Sequence, residues 1–567
     1  MIHLHLFFIV LLIFITIESS FSIPLDIVHI TDVHIDPHYS QGTIANGCYC
    51  ESYANCPLAR SPSCVHTDDP TKAALPFGMP EDECATSPAL WESAMEYLYL
   101  SNQEHPASFV VFTGDFGEAG LSSPCTVNQT AQEAIVDNII NAVTAVRAAH
   151  PSLLLFGSFG NHDASPGDVW DSTSAMSWLL KPSLDFFGKD FSTDTAALAT
   201  LLKGGYYTTS SPLSGLRIIS LNTNYWASTN PLLTNTSSEA YLLGQEQFSW
   251  LNETLAIATI VGEKVIIIGH HPPSAWISGT EYIYRTILTL YPLTVTVQLV
   301  GHNHVDQFSI IRACIPPPTP PSPSPNSTIQ WIETDGVDWC SGSNWICGDV
   351  FHMGCSNNDC WCPLVPDFNG NITRRIEACE TVCGNEPTCR GFTWYPDDGK
   401  FGACCMRTNT DQKPLNATSD VKCFEKPNPP SLCSGGPESP LHMLFVGPSL
   451  TEGYPPTNPA IRRVRIDSNT FQVLDILTQY GNITQGNIDW AFLWQNEYTF
   501  MNAYSTLQDM SANSFNQLVE AMNETNSDEW MSYYQYNYKM YTGPSSLPCT
   551  GPCKSAEIAF LNGSKQG

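Results

Sequence analysis

Leu153-Leu154-Leu155-Phe156-Gly157-Ser158-Phe159-Gly160-Asn161-His162-Asp163 opens as an apolar run and closes on three polar side chains. The run from Leu153 to Ser158 has strand length and is read as a buried strand. Gly160 lets the chain turn sharply at the strand end, so that the residues after it project into a crevice. Neighbouring Asn, His and Asp side chains would crowd a plain turn with polarity, and Asn161 is an unusual metal ligand. The stretch is therefore read as part of a site.

The same grammar recurs four times. Asp32-Val33-His34 follows Leu25 to Ile30, and Gly114-Asp115 follows Ser108 to Thr113. Gly269-His270-His271-Pro272-Pro273 follows Lys264 to Ile268, and Gly301-His302-Asn303-His304 follows Thr294 to Val300. Side chains two residues apart in extended chain point the same way, so Asp32 with His34, and His302 with His304, can each reach one cation. Singly these signals are weak: Asp-x-His is common on surfaces, Gly-Asp is usually a turn, and a lone strand-end histidine is usually structural. Together they are not, because six of the fifteen histidines fall in these motifs. All sit at the carboxyl ends of apolar runs, where open α/β sheets gather ligand sites. With a further run at Leu216 to Leu221 and helical segments at Ser87 to Leu100 and Gln129 to Ala149, the pattern predicts an α/β domain. Ser87 followed by Pro88 is a helix start signal.

The 567 residues, 43% hydrophobic, predict two or three compact units. Residues 1–22 carry an apolar run from Leu6 to Ile17 followed by Ser20-Phe21-Ser22, and read as a signal peptide cleaved near Ser22. A membrane anchor is the rival reading, since only His3 and His5 supply basic character, but the run is too short for ~30 Å of hydrocarbon. No later run has spanning length, so no transmembrane segment is expected after cleavage. Twenty-one cysteines suit an oxidising compartment, and the odd count leaves one thiol over. Nine glycosylation sequons, at Asn128, Asn235, Asn252, Asn326, Asn371, Asn416, Asn482, Asn523 and Asn562, agree with a secretory route. A net charge of -31 argues against nonspecific binding to nucleic acid or an anionic membrane at neutral pH, and no stable nucleic-acid binding is expected. The expected home is secreted and extracellular, or the endolysosomal lumen.

The organisation read from the chain is a discontinuous domain over 23–335 and 438–489. Pro316 to Pro325 is a Pro-rich linker or exposed loop. Residues 340–433 hold twelve cysteines and read as a disulfide-stapled insert, with zinc at Cys360/Cys362 or Cys379/Cys383 as the rival. Strands resume at His442 to Gly447, Ile461 to Ile466 and Phe471 to Leu477, the last two a hairpin turning at Asp467-Ser468-Asn469. Residues 490–567 read as a helical, aromatic subdomain tied by Cys549 and Cys553, which need not pair with each other.

The ordered set Asp-x-His, Gly-Asp, Gly-Asn-His-Asp, Gly-His and Gly-His-x-His resembles the calcineurin-like metallophosphoesterases. Asp32 to Tyr39, Leu221-Asn222-Thr223-Asn224-Tyr225, and Gly447 to Thr451 with Asn458-Pro459 resemble the acid sphingomyelinases and the acid sphingomyelinase-like phosphodiesterases. The resemblance covers Pro24 to Ile311 and Leu441 to about Cys553. The stretch before Asp32 is too short for a saposin domain, which is closer to the sphingomyelinase-like branch. The fold implied is a four-layer α/β sandwich with two mixed sheets, carrying the small disulfide-rich insert and the C-terminal helical subdomain.

The resemblance implies one metal held by Asp32, His34, Asp115 and His304 and a second held by Asp115, Asn161, His270 and His302. Two zinc ions are implied, one site being open to iron or manganese. It further implies a secreted phosphodiesterase in which a hydroxide between the metals attacks a phosphodiester, of sphingomyelin-like phospholipid or nucleotide type. His162, Asn161 and Asp163 make up the implied catalytic set, His162 protonating the leaving oxygen or stabilising charge. Asp163 either orients His162 or caps a helix. His271 reads as a packed histidine, and Asp306 either bonds a ligand histidine or lies at the surface. Where the sphingomyelinases usually have a second histidine, four residues after the bridging Asp, this chain has Ala119, with Glu118 or His38 as stand-ins. Glu377 to Cys404 in the insert resembles a PAN/apple module, which implies binding of protein or carbohydrate; a purely stabilising role is the alternative. The competing functions are a phosphomonoesterase or polyphosphatase on the same site, and a non-catalytic binding protein acting through the insert.

Overall fold

Every apolar run of the first segment becomes a strand: β1 (Pro24–Ile30), β2 (Ala107–Phe112), β3 (Leu154–Gly157), β5 (Leu216–Ser220), β6 (Lys264–Ile268) and β7 (Val295–Val300), with β4 (Tyr207–Ser210) and β8 (Gln307–Cys314) added. Between 314 and 438 lie β9 (Ile332–Asp335), β10 (Val337–Asp338), β11 (Gly391–Tyr395), β12 (Ala403–Arg407), β13 (Leu415–Asn416) and β14 (Lys422–Glu425). Then follow β15 (Glu438–Val446), β16 (Ala460–Asp467), β17 (Val473–Gly481) and β18 (Trp494–Thr499). The computed structural model describes residues 24–313 and 438–563 apart from 59, 83, 118–129, 454 and 543–548, and the backbone alone of 314, 332–335, 337–338, 391–395, 403–407, 415–416 and 422–425. The proposed signal peptide, the Pro316 to Pro325 run, Glu118, Ala119, Asn128, Asn326 and Asn371 lie outside the described residues, as do the side chains of Asn416 and of the insert's cysteines.

Two six-stranded mixed sheets form the main unit, ordered β18-β17-β16-β1-β2-β3 and β4-β5-β6-β7-β15-β8. In the first, β1, β2 and β3 run parallel and β16 to β18 antiparallel. In the second, β5, β6, β7 and β15 are parallel. Strands buried on both faces must be apolar at nearly every position, which is why Val265 to Ile268 and Phe109 to Phe112 read as unbroken runs instead of alternating ones. The sheets meet where the Tyr207 hydroxyl bonds to both the N–H and the C=O of Gly157 and Ser220 bonds the same C=O. With helices outside, this is a four-layer α/β sandwich.

Local signals place the helices. In α1 (Pro88–Glu104) the Ser87 hydroxyl accepts the Leu90 N–H and Pro88 takes the first turn. In α2 (Ala131–Ala149) Thr130 and Glu133 form a capping box. The helices α3 (Thr195–Gly204) and α4 (Glu239–Val261) end on Gly205 and Gly262 at φ of 74° and 78°. Then come α5 (Thr280–Thr289) and a C-terminal set, α6 (Ala512–Asn523), α7 (Asp528–Asn537) and α8 (Pro552–Leu561). Disulfides join Cys48 to Cys64, Cys50 to Cys84 and Cys549 to Cys553, so the last two cysteines do pair with each other. No described helix is long and apolar enough to cross a membrane.

Two expectations about organisation change. The segment after 490, read as helical, begins with β18, which extends the first sheet. Its polar centre, Gln495-Asn496-Glu497, hid the strand, whose aromatic ends are what pack: Trp494 stacks on Tyr97 and Tyr498 on Tyr536. Residues 332–335, assigned to the first domain, are β9 and pair with β14 inside the insert. The compact unit spanning 314–438 thus starts earlier than its first clustered cysteine. By itself it holds an antiparallel sheet ordered β12-β11-β14-β9 and a two-stranded β10-β13 pair.

Candidate metal centre

Three parallel strands of one sheet and two of the other end in the five motifs. The turns that carry them are unusual: Asp32, His34, Asp115, His302 and His304 have φ of 48°, 45°, 57°, 76° and 61°. A side-chain-bearing residue reaches that left-handed region at a cost of roughly 1–2 kcal/mol, and such strain concentrates at functional sites. Glycine is required where the two sheets' loops close: a Cβ on Gly114 would sit 2.5 Å from the Gly160 nitrogen and 2.8 Å from His270 Nδ1. Beneath the Asp115 turn, Phe112 and Phe116 stack at 3.9 Å, fully buried. Burial of each contributes roughly 1.5–3 kcal/mol and anchors the turn.

The seven side chains converge as two groups sharing Asp115. In the first, the ligating atoms of Asp32, His34, Asp115 and His304 lie within 4.8 Å of one another. His34 Nε2 is 3.1 Å from His304 Nε2 and 3.5 Å from Asp115 Oδ2, and His304 Nε2 is 3.4 Å from Asp32 Oδ1. In the second, Asn161 Oδ1 stands 3.0 Å from His270 Nε2 and 3.2 Å from His302 Nδ1, while Asp115 Oδ2 is 3.2 Å from His270 Nε2. Ligands on bonds near 2.1 Å are roughly 3.0–3.4 Å apart, so these spacings are those of coordination shells.

The supporting contacts agree. His34 Nδ1 faces the Gly117 carbonyl at 3.0 Å and His270 Nδ1 the Thr113 carbonyl at 2.7 Å. A ring that donates from Nδ1 to a carbonyl presents the Nε2 lone pair to a metal. Thr31 donates to Asp32 Oδ2 at 2.7 Å, and the His302 N–H bonds both Asp32 oxygens.

Charge states fit too. Burial pushes His34 and His302 down to about 3, leaving them neutral. Burial alone would raise Asp115, yet the His270, His162 and His34 rings hold its carboxyl well below the usual range. His270 moves the other way: burial lowers it, Asp115 and Asp32 outweigh that, and it rises to about 9. Metal binding needs the neutral ring, so it would release a proton from His270.

His162 is half-buried, its N–H donates to Asp115 Oδ1 at 2.8 Å, and its ring lies edge-on to His34 at 5.2 Å. Asp163, expected in the catalytic set, is placed otherwise. Its carboxylate accepts the N–H groups of Asp115, Phe116 and Gly160 at 3.0, 3.0 and 2.7 Å, so it braces two motif turns instead of orienting His162. Burial and then Asp115 push it up to about 7 against those donors. Asp306 is neither at the surface nor on a ligand ring: it is buried, ion-paired to Arg462 and bonded by Thr478 at 2.6 Å. His271 belongs to the second group by position: its ring centroid is 4.2 Å from that of His302, and its Nε2 is buried without a hydrogen-bond partner. Sequence reading missed Thr31, Thr113, Thr223 and Lys539. The threonines adjoin motifs or runs already singled out, whereas Lys539 carried no local signal.

Two interlocked N/O clusters at the carboxyl ends of strands from two mixed sheets form a candidate dinuclear metal site on a metallophosphoesterase fold. Residues 25–306 match the calcineurin-like phosphoesterase family and residues 440–563 the acid sphingomyelin phosphodiesterase C-terminal region. The chain is 24% identical over 558 residues to the cyclic GMP-AMP phosphodiesterase SMPDL3A of Homo sapiens, covering 94% of this chain and 86% of that one. It is 30% identical over 272 residues to the sphingomyelinase phosphodiesterase C of Dictyostelium discoideum, covering 46% of this chain and 54% of that one. To the human sphingomyelin phosphodiesterase it is 29% identical over 294 residues, covering 50% and 42%. This chain belongs to the acid sphingomyelinase family of calcineurin-like phosphoesterases and is a phosphodiesterase-type hydrolase.

Proposed function

We propose that the protein hydrolyses a phosphodiester on two zinc ions, the first held by Asp32, His34, Asp115 and His304 and the second by Asp115, Asn161, His270 and His302. The observation that carries this is Asp115. Its Oδ2 lies within 3.5 Å of an Nε2 from each group, while Oδ1 is tied to the His162 N–H. When bound, such a metal pair supplies Lewis-acid charge to phosphoryl oxygens and lowers the pKa of a water.

The chain's own residues do the rest. Asp32 and the His302 N–H lock two motifs together. His162, half-buried beside the Asp115 and His34 side chains, can donate to a phosphoryl or leaving oxygen. Similarity to phosphodiesterases supports a diester over a monoester, of sphingomyelin-like phospholipid or nucleotide type, since a cyclic GMP-AMP phosphodiesterase and a sphingomyelin phosphodiesterase match 94% and 95% of this chain. The three described disulfides support an oxidising, secreted or endolysosomal setting. Glycosylation is proposed at the nine sequons, of which Asn235 and Asn523 are exposed. The insert is proposed to bind protein or carbohydrate.

The test is metal analysis of the purified protein with turnover of a cyclic dinucleotide, sphingomyelin, bis-p-nitrophenyl phosphate and p-nitrophenyl phosphate, for wild type and Asp115→Ala. Two zinc ions per chain and diester turnover, both lost in Asp115→Ala, are expected. Turnover of the monoester alone would favour a phosphomonoesterase, and activity indifferent to Asp115 would refute the site.

A further inference from the structure

We infer that Lys539, from the C-terminal region, is a positioning residue of the first metal site, its ammonium holding the His304 peptide in the conformation that aims the His304 ring at Asp32 and His34. The inference rests on the metal reading above and adds to it a residue far away in sequence.

Lys539 is 0% exposed. Its Nζ donates to the His304 carbonyl at 3.0 Å, the Ser449 carbonyl at 3.2 Å and the Ser449 hydroxyl at 3.1 Å, one acceptor for each ammonium proton. The network continues to the other end of the site. The Ser449 hydroxyl lies 3.0 Å from the His304 carbonyl and 2.6 Å from that of Thr451, and the Thr451 N–H donates to the Asp32 carbonyl at 3.1 Å. Lys539 is itself held: Asn458 donates to its carbonyl at 2.8 Å, and its N–H donates to Tyr536 at 2.8 Å. Two residues earlier, the Asn537 carbonyl accepts the Asp306 N–H at 3.0 Å. Residues 537–539 therefore clasp the chain on the His304 carbonyl and again at Asp306.

Why a lysine should be here follows from two costs. A buried ammonium is penalised by several kcal/mol unless compensated, and an apolar side chain would avoid that penalty. His304 stands at φ 61°, a strained state that persists only where its surroundings over-determine it. A charged donor on its carbonyl is a strong determinant, since charge-assisted hydrogen bonds are roughly twice as strong as neutral ones. Burial pushes the lysine down to about 7 against the opposing pull of Glu497, Asp306, Asp32 and Glu452, and its three hydrogen bonds fix where the Nζ sits.

The experiment uses the full-length protein as wild type, Lys539→Met and Ser449→Ala. Each is stripped with a chelator, and zinc affinity is then measured by competition with a chromophoric chelator. Hydrogen exchange over residues 302–306 is followed in the metal-free state. Lys539→Met should weaken one of the two zinc ions by ~10–100-fold, the usual cost of losing an outer partner of a ligand. The other ion should be held as before, and exchange over 302–306 should rise. Ser449→Ala should move both readouts the same way by less. A Lys539→Met protein that melts earlier yet keeps both zinc affinities and the 302–306 protection overturns the inference, because Lys539 is then only structural. If Lys539→Met does not fold, unchanged affinity and protection in Ser449→Ala overturn it. Wild type binding fewer than two zinc ions would instead sink the dinuclear reading.

Discussion

The two halves of the metal centre are built differently. All four residues of the first group, Asp32, His34, Asp115 and His304, sit at positive φ. Their peptides are held by contacts reaching to Thr451 and Lys539, far along the chain. The residues peculiar to the second group are mostly unstrained, His302 excepted, and their supports come from the same N-terminal half. Thr223 Oγ1 accepts the His270 and His271 N–H groups, the Thr113 carbonyl faces His270 Nδ1, and Asp163 ties the Gly160 turn to the Asp115 turn. One site is thus clamped from outside its own segment and the other is braced from within. The C-terminal region holds backbone of the first group: Thr451 bonds the Asp32 carbonyl and Lys539 the His304 carbonyl, contacts that the strands themselves do not carry.

Removing the shared element should erase the distinction, and it has the largest expected effect. Asp115→Ala should release both ions and lower diester turnover by more than the ~10²–10³-fold that loss of one electrostatic stabiliser typically costs. A protein retaining one ion at full occupancy would show that Asp115 is not shared. Next come substitutions that separate the groups. His304→Ala should leave one metal per chain and His270→Ala the other, each read by elemental analysis, with activity falling by at least about 10²-fold. If either substitution empties both sites, the groups are not independently braced.

Asp163→Asn probes the internal brace and should cost less. It keeps the shape but turns an amide toward N–H groups that now meet carboxylate oxygen. An unsatisfied buried donor costs ~1–3 kcal/mol, so thermal stability should fall by about that amount, along with affinity for both ions, because the Asp115 turn serves both. Normal melting and normal zinc binding would remove Asp163 from the site's support.

The smallest effect lies away from the ligands. His442 on β15 is buried with Nε2 unpartnered, and burial pushes it down to about 4. A group depressed below its unfolded value of 6.5 contributes stability that is present above pH 6.5 and is lost as pH falls through about 4, since the unfolded chain takes up the proton first. The melting temperature of metal-free protein should therefore fall across that window, and His442→Leu should flatten the curve. Parallel curves for the two proteins would remove His442 as a contributor.

The strands and ligands were legible in the sequence because both are local. A buried parallel strand is an unbroken apolar run, and a ligand beside its end is one turn away. That is why Lys264 to Ile268 and Gly269-His270 could be read together, and why all seven expected ligand side chains meet. The partners of Asp163 and Asp306 and the strand β18 escaped the sequence for the opposite reason. Two of the three N–H groups that Asp163 accepts belong to Asp115 and Phe116, 48 and 47 positions away. The partner of Asp306 is Arg462, on another sheet. Trp494 to Thr499 is a strand only because β17 offers it an edge.

By itself, then, the sequence determined the α/β class, the five strand-end motifs and the residue types able to hold two metals, because periodicity and spacing are properties of neighbouring residues. Only the tertiary structure decided that Asp115 Oδ2 lies between the two groups, that the Asp163 carboxylate accepts N–H groups of the Asp115 and Gly160 turns, and that Lys539 closes on His304. These depend on long-range approach of backbone groups, and no local pattern records which carbonyl a distant side chain will meet.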